Sequence, residues 1–106
     1  MVSELPRQGE IWWTSGMDKR RPVLVVTRTA AIRVLDTILV APITRTIRGI
    51  PTEVELGERN GLREECCASF DNLRRVRPRA LTERVGWLGP DELGEICRAL
   101  EAMADC

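Results

Sequence analysis

Two segments of the chain place a polar side chain at the end of an apolar run. Arg21 precedes residues 22–26 and Thr44 follows residues 40–43, and both runs have the composition of buried strands. The chain contains no histidine. A guanidinium and a hydroxyl can stabilise the charge on a reacting phosphate without an imidazole or a metal ion. The pair therefore indicates phosphate chemistry, although arginine and threonine are also common at the ends of strands.

The elements that would position this pair are mostly short strands. Apolar and alternating patterns predict strands at residues 9–13, 22–27, 37–43, 52–56, 66–70, 73–77 and 84–88. One helical turn is predicted at residues 29–35, and an amphipathic helix is predicted after Pro90. The order of the elements predicts a mainly β fold with a C-terminal α-helix. We expect a small antiparallel barrel that the helix closes.

The same patterns predict which side chains pack in the core. We expect Leu35 to face inward, Cys97 to lie on the apolar stripe of the terminal helix, and Trp87 to lie in the core. Cys66 and Cys67 are adjacent in a strand and should point to opposite faces. Pro42 indicates an edge strand or a bulge, because proline donates no hydrogen bond to a sheet.

The length and composition exclude several classes of protein. A chain of 106 residues predicts one domain over residues 1–106. No segment resembles a signal peptide or reaches the roughly 20 apolar residues of a membrane span, so we expect a cytoplasmic protein without membrane contact. The four cysteines have no Cys-x-x-Cys spacing and there is no histidine to complete a zinc site. We therefore expect no metal and no other cofactor.

The charged residues are balanced in number but segregated along the chain. Sixteen basic and sixteen acidic side chains cancel, so net charge alone does not identify a nucleic-acid binder. Basic residues are in excess over residues 1–50 and 74–84, and acidic residues over 51–73 and 85–106. Fifteen of the sixteen cations are arginines, which suit phosphate oxygens and stacked bases. A genome rich in G and C also favours arginine over lysine and would explain the excess of arginine equally well.

Several motifs follow one another in the order and spacing of a known family. They are GEIW at 9–12, RPVLVV at 21–26, VAPIT at 40–44, PTEV at 51–54, DNLR at 71–74 and VGWL at 85–88. On these motifs the chain resembles the MazF/PemK family of toxin endoribonucleases along nearly its full length. The resemblance implies the toxin of a type II toxin-antitoxin system, a metal-independent endoribonuclease that cuts single-stranded RNA at preferred sequences. The products would carry a 2′,3′-cyclic phosphate and a 5′-hydroxyl.

The resemblance also implies an SH3-like barrel as the fold, together with site residues and partners. Arg21 and Thr44 would be the catalytic pair. The candidate RNA-binding residues are polar or cationic side chains at matching or neighbouring positions, namely Lys19, Arg20, Arg45, Arg48, Asn72 and Arg74. The implied partners are single-stranded RNA, a second copy of the chain in a homodimer, and a MazE-like antitoxin with an acidic tail.

The chemistry can also be argued from RNA itself. The 2′-hydroxyl is the nucleophile, so the protein needs to align the phosphate and stabilise its growing negative charge. The general base stays unassigned, because arginine is a poor base. Glu10, Asp18 and Asp71 are the carboxylates nearest to the pair in sequence terms. For Arg74, an ion pair with Glu53 or Glu55 on the surface is an equal alternative to RNA contact.

Two alternatives have the same barrel shape without the catalysis. One is a CcdB-like toxin that poisons DNA gyrase, a group that acts through C-terminal residues ending in tryptophan. This chain ends in MADC at 103–106 instead. The other is a module that only binds a partner. The sequence leaves both alternatives open.

Overall fold

A computed structural model describes residues 5–15, 17 and 19–104, so Asp18 and Cys106 lie outside the described residues. Within these ranges there are seven strands and two α-helices: β1 (Glu10–Thr14), β2 (Arg21–Val25), α1 (Thr29–Ile32), β3 (Ile38–Thr44), β4 (Glu53–Leu56), β5 (Cys66–Ser69), β6 (Arg74–Val76), β7 (Leu81–Trp87) and α2 (Gly94–Met103). Short 3₁₀ helices occupy Glu58–Asn60, Phe70–Asn72 and Pro78–Ala80. No helix in the described part of the chain is long and apolar enough to cross a membrane.

The strands form one antiparallel sheet in the order β4-β5-β3-β2-β1-β7, and β6 also pairs with β3. Among the described residues no pairing joins β4 to β7, so the sheet is not closed by hydrogen bonds. The predicted fold class, mainly β with a C-terminal helix, is confirmed. The barrel is therefore open between β4 and β7, the two edge strands of the sheet.

Strand β3 lies inside the sheet, contrary to the edge position suggested by Pro42. On one side it pairs with β2. On the other side, residues 38–40 pair with β6 and residues 43–44 pair with β5. Pro42 therefore lies in the gap between two partners, where a missing N–H group costs no sheet hydrogen bond.

The sheet has an apolar cluster on each face, because successive residues of a strand point to opposite sides. Ile11 and Leu24 belong to a cluster that α2 covers with Ile96 and Ala99. The neighbouring strand residues, including Trp12, belong to a second cluster against α1 and β6. Cys66 and Cys67 are both buried in this sheet.

Three predicted core positions are wrong. Leu35 is 46% exposed because α1 ends at Ile32 and does not carry the inward face that far. Cys97 is exposed because only the narrow stripe containing Ile96 and Ala99 faces the sheet. Trp87 is 57% exposed: its neighbour Gly86 is buried, so the next side chain along β7 points outward.

A cluster of polar groups around a buried asparagine lies at one corner of the sheet. We call it the Asn60 corner and define it as Gly57, Arg59, Asn60, Gly86 and Glu92. Asn60 is 1% exposed, and its side-chain oxygen accepts a hydrogen bond from Gly57 N–H at 3.1 Å. Its side-chain nitrogen donates to the carbonyl of Trp87 and to Glu92, each at 3.2 Å. A Cβ atom on Gly86 would collide with the Asn60 backbone carbonyl, so this approach requires glycine.

The carboxylate of Glu92 is the charged centre of this corner. It accepts a hydrogen bond from Gly89 N–H at 3.0 Å and forms an ion pair with Arg59 at 2.7 Å. The Gly89 N–H and then the guanidinium of Arg59 lower the pKa of Glu92 below its usual value. The charge of the corner is therefore matched internally.

Candidate active site

One cavity of about 470 Å³ opens where the start of β2 meets the end of β3. Val23 lies opposite Pro42 in the antiparallel register of these strands. The same register carried two residues further places Arg21, the first residue of β2, beside Thr44, the last residue of β3. Both side chains line the cavity. Strand pairing thus brings together two residues that are 23 positions apart in sequence.

The hydroxyl group of Thr44 is held by the chain just beyond it. Its oxygen accepts a hydrogen bond from the Thr46 N–H at 3.1 Å. A hydroxyl carries one donor and can accept as well, so its own O–H can still donate. Thr44 is half-buried. This arrangement suits donation to an oxygen of a bound anion.

The cavity is strongly cationic. Four arginines line it, Arg21, Arg48, Arg74 and Arg75, and the lining as described includes no carboxylate. Within the described ranges, none of the four forms an ion pair. Unmatched guanidinium groups in a concave site create a positive potential. The cavity can therefore bind a phosphate group through several donors at once.

Neutral polar groups complete the lining of the cavity. Asn72 donates a hydrogen bond from its side-chain nitrogen to the hydroxyl of Ser69 at 2.9 Å. Both residues contact the cavity, as does Thr46. Met17 and Pro42 contribute the apolar part of the wall. The cavity thus offers hydrogen-bonding groups as well as charge.

A second, more apolar groove of about 700 Å³ shares Arg21 and Thr44 with the cavity. Lys19 and Arg45 lie in this groove. Arg45 forms an exposed ion pair with Glu64 at 2.9 Å, and the pKa of the guanidinium is raised by that hydrogen-bonded carboxylate.

Five of the eight candidate site residues therefore line the cavity: Arg21, Thr44, Arg48, Asn72 and Arg74. Lys19 and Arg45 lie in the adjoining groove. Arg20 lines neither space. Its guanidinium lies 4.5 Å from the centre of the Trp13 ring and 3.3 Å from the carboxylate of Glu83.

Sequence reasoning missed Arg75, Thr46 and Ser69 as cavity residues. Arg75 follows Arg74 in a strand of three residues, so simple alternation predicts that only one of the two faces the site. Both reach it because arginine side chains are long. The doubled arginine was the available signal.

Two of the three carboxylates considered as a general base are engaged elsewhere. Glu10 accepts hydrogen bonds from the Arg7 N–H and the Trp12 indole and forms an ion pair with Arg84. Asp71 accepts a hydrogen bond from the Thr52 hydroxyl at 2.6 Å. Neither lines the cavity as described, so the base stays unassigned.

Residues 7–104 match the family described as "PemK-like, MazF-like toxin of type II toxin-antitoxin system". The chain belongs to this family. The match confirms the resemblance drawn from the motifs and favours a MazF-like toxin over the CcdB-like alternative.

Two relatives of this PemK/MazF-family chain are similar to it along nearly their whole length. The Mycobacterium tuberculosis protein "Probable endoribonuclease MazF5" is 38% identical, with 99% of this chain and 98% of that protein covered. "Probable endoribonuclease MazF2" of the same organism is 35% identical, with 94% of this chain and 99% of that protein covered.

Solved structures agree with the fold of this family member. The structure titled "Mycobacterium tuberculosis toxin MazF-mt6" is 33% identical and has a TM-score of 0.82, covering 90% of this chain and 96% of that one. A MazE-MazF structure from Deinococcus radiodurans is 25% identical with a TM-score of 0.78, covering 97% and 98%.

Proposed function

We propose that this toxin is a metal-independent, sequence-specific endoribonuclease whose active site is the arginine-lined cavity. One observation carries the proposal: Arg21 and Thr44 line a single cavity that also holds three further arginines. The relatives named as endoribonucleases support the substrate class. The cationic lining suits a polyanion such as single-stranded RNA.

In the proposed reaction the RNA supplies its own nucleophile. The 2′-oxygen forms a bond to the adjacent phosphorus, its proton leaves to a base, and the bond from phosphorus to the 5′-oxygen breaks as that oxygen gains a proton. The products are a 2′,3′-cyclic phosphate and a 5′-hydroxyl. The guanidinium of Arg21 donates to the phosphate oxygens, and the hydroxyl of Thr44 donates to another oxygen.

The other candidate residues would hold the RNA on either side of the reacting phosphate. Arg48, Asn72 and Arg74 are available from the cavity, and Lys19 and Arg45 from the adjoining groove. Arginine forks favour bidentate contacts with phosphate oxygens, whereas Asn72 can also hydrogen-bond to a base edge. Arg20 would contribute from the rim, where it stacks on Trp13.

We further propose that the toxin acts as a homodimer in the cytoplasm and is blocked by a MazE-like antitoxin. The neighbour from Deinococcus radiodurans is a MazE-MazF structure. An acidic antitoxin segment would be attracted to the same unpaired arginines that attract RNA. Competition between the segment and the substrate would then explain inhibition.

The decisive experiment is to incubate purified protein with a long single-stranded RNA in EDTA and analyse the ends of the products. We expect fragments with 2′,3′-cyclic phosphate and 5′-hydroxyl ends. Replacing the ribose at a mapped cut site by deoxyribose should abolish cutting at that site. RNA left intact in EDTA would contradict the proposed activity, and cutting that persists at the deoxyribose would contradict attack by the 2′-hydroxyl.

A further inference from the structure

Glu53 is a buried carboxylate whose partners are backbone groups of the cavity loop, which we define as residues 45–52. The residue begins β4 and is 6% exposed. Its side chain accepts hydrogen bonds from Arg48 N–H, at 3.1 and 3.2 Å, and from Gly49 N–H at 2.9 Å. Among the described residues no cation forms an ion pair with it. The negative charge is therefore compensated mainly by the loop backbone.

These contacts fix the shape of the loop at the point where it turns. Gly49 has a φ of +71°, in the left-handed region that favours glycine. The Glu53 N–H donates to the carbonyl of Ile50 at 3.1 Å, which closes the turn onto β4. Two successive N–H groups thus point at one buried carboxylate, which restricts the backbone geometry of the turn.

A second contact holds the loop from the side of β5. The thiol of Cys67 donates to the carbonyl of Thr46 at 3.7 Å. Burial, followed by the charge of Glu53, raises the pKa of Cys67 from 9.0 to about 11, so the thiol keeps its proton at neutral pH. The cavity loop is therefore held at Thr46 and at Arg48 by different elements.

Among the described residues, none forms a hydrogen bond or an ion pair with the side chain of Arg48. It lines the cavity, and within the described ranges it forms no ion pair. A long cation without a partner samples many rotamers, so its reach into the cavity depends on where the backbone places it. That placement is made by the carboxylate of Glu53.

We propose that Glu53 is a positioning residue for RNA binding, acting through Arg48. The inference rests on the proposed function, because it takes Arg48 as a contact to the RNA backbone. Glu53 lies outside the cavity lining and would not contact the substrate. It sets the loop so that the guanidinium of Arg48 meets a phosphate without first being ordered.

A double-mutant cycle tests the proposal. The variants are Arg48→Ala, Glu53→Ala and the double variant, and the measurement is affinity for an RNA that carries deoxyribose at the cut site. We expect Arg48→Ala to weaken binding about tenfold, as for one hydrogen-bonded ionic contact. Glu53→Ala should weaken it by a similar factor, and the double variant should bind no more weakly than Arg48→Ala alone.

Two further variants separate positioning from charge and from folding. Glu55→Gln removes the same charge from an exposed position of the same strand and should leave affinity unchanged. Glu53→Gln keeps one acceptor oxygen and should fall between the wild type and Glu53→Ala. Thermal unfolding defines the temperature at which all variants are folded, and Glu53→Gln replaces Glu53→Ala in the cycle if the latter does not fold.

The outcomes distinguish this inference from the proposed function. If Glu53→Ala leaves affinity unchanged, or weakens it equally with and without Arg48, the positioning role is overturned while cutting by the wild type still supports the endoribonuclease. If the wild type binds RNA but cuts none, the proposed function is overturned; the binding cycle is then measured with the unmodified RNA and still decides the role of Glu53. Binding lost altogether in the wild type would overturn both.

Discussion

The cavity and the Asn60 corner use charged side chains in opposite ways. The cavity gathers four arginines and no described carboxylate, whereas the corner matches Arg59 with Glu92 and satisfies both ends of the Asn60 amide. Both regions lie at turns between strands of one sheet. The difference teaches that the number of arginines alone does not indicate a binding site. Whether each arginine forms an ion pair with a carboxylate distinguishes a candidate binding site from a region that stabilises the fold.

The physical reason is the cost of unmatched charge. Like charges in a concave site repel each other, and an arginine cluster of this kind gives the fold no evident benefit. None of the five ion pairs found among the described residues involves a residue that lines the cavity. A region that leaves its cations free is suited to an anionic ligand, and a region that satisfies every group is suited to stability.

The largest expected effect concerns the two strand-end residues in the cavity. Arg21→Ala and Thr44→Ala should each lower the rate of RNA cutting by a hundred- to a thousandfold, because one preorganised donor to a transition-state oxygen is worth about 3 to 4 kcal/mol. Single-turnover rates, measured beside thermal unfolding, check the prediction. Arg59→Ala, which removes an arginine at the corner, should cut as the wild type does. Near-normal rates in either cavity variant would remove the contrast between the regions.

The second expected effect is on the free energy of unfolding. It compares the two asparagines of the chain, Asn60 in the corner and Asn72 in the cavity. Asn60→Ala should lower the free energy of unfolding by roughly 2 to 3 kcal/mol, because the change leaves buried groups without partners. Asn72→Ala, at an exposed cavity position, should change it by less than about 0.5 kcal/mol. Chemical denaturation measures both values, and cutting per folded molecule should be retained in Asn60→Ala. Equal losses of stability in the two variants would contradict the division of roles.

The smallest expected effect is on RNA affinity, when arginines without an ion pair are compared with ion-paired arginines among the proposed RNA-binding residues. Arg74→Ala and Arg75→Ala should each weaken RNA binding about tenfold and reduce the salt dependence by about one counterion. Arg20→Ala and Arg45→Ala should have smaller effects, because these side chains must first leave Glu83 and Glu64. Affinities at several salt concentrations provide the test. A larger loss in the paired variants would show that ion pairing does not mark the boundary of the site.

Much of this site was predictable because it follows from strand order. Arg21 and Thr44 belong to neighbouring antiparallel strands, and the residue patterns of those strands are clear in the sequence. Most elements were predicted within one or two residues of their observed bounds. Larger differences occur in the terminal helix, predicted to start after Pro90 and observed from Gly94, and in the last strand, predicted from residue 84 and observed from Leu81.

The exposure of individual side chains could not be predicted in the same way. It depends on which element covers each face of a strand or helix, and a local sequence pattern does not contain that information. Trp87 is apolar but exposed, since the neighbouring Gly86 is the residue that meets the Asn60 turn. Cys97 is adjacent to buried Ile96 yet outside the narrow stripe that contacts the sheet. The approach of Arg75 to the cavity depends on the length of its side chain and on the path of a three-residue strand.

The interior placement of β2 and β3 has a consequence for how such toxins diversify. Arg21 and Thr44 stand on strands that are paired to neighbours, while the proposed RNA contacts at Arg48, Asn72 and Arg74 stand on a loop, a 3₁₀ helix and a short strand. Substitutions in these outer elements would change the proposed RNA contacts and leave the proposed catalytic pair in place. Target preference would then be free to vary while the proposed reaction centre is kept.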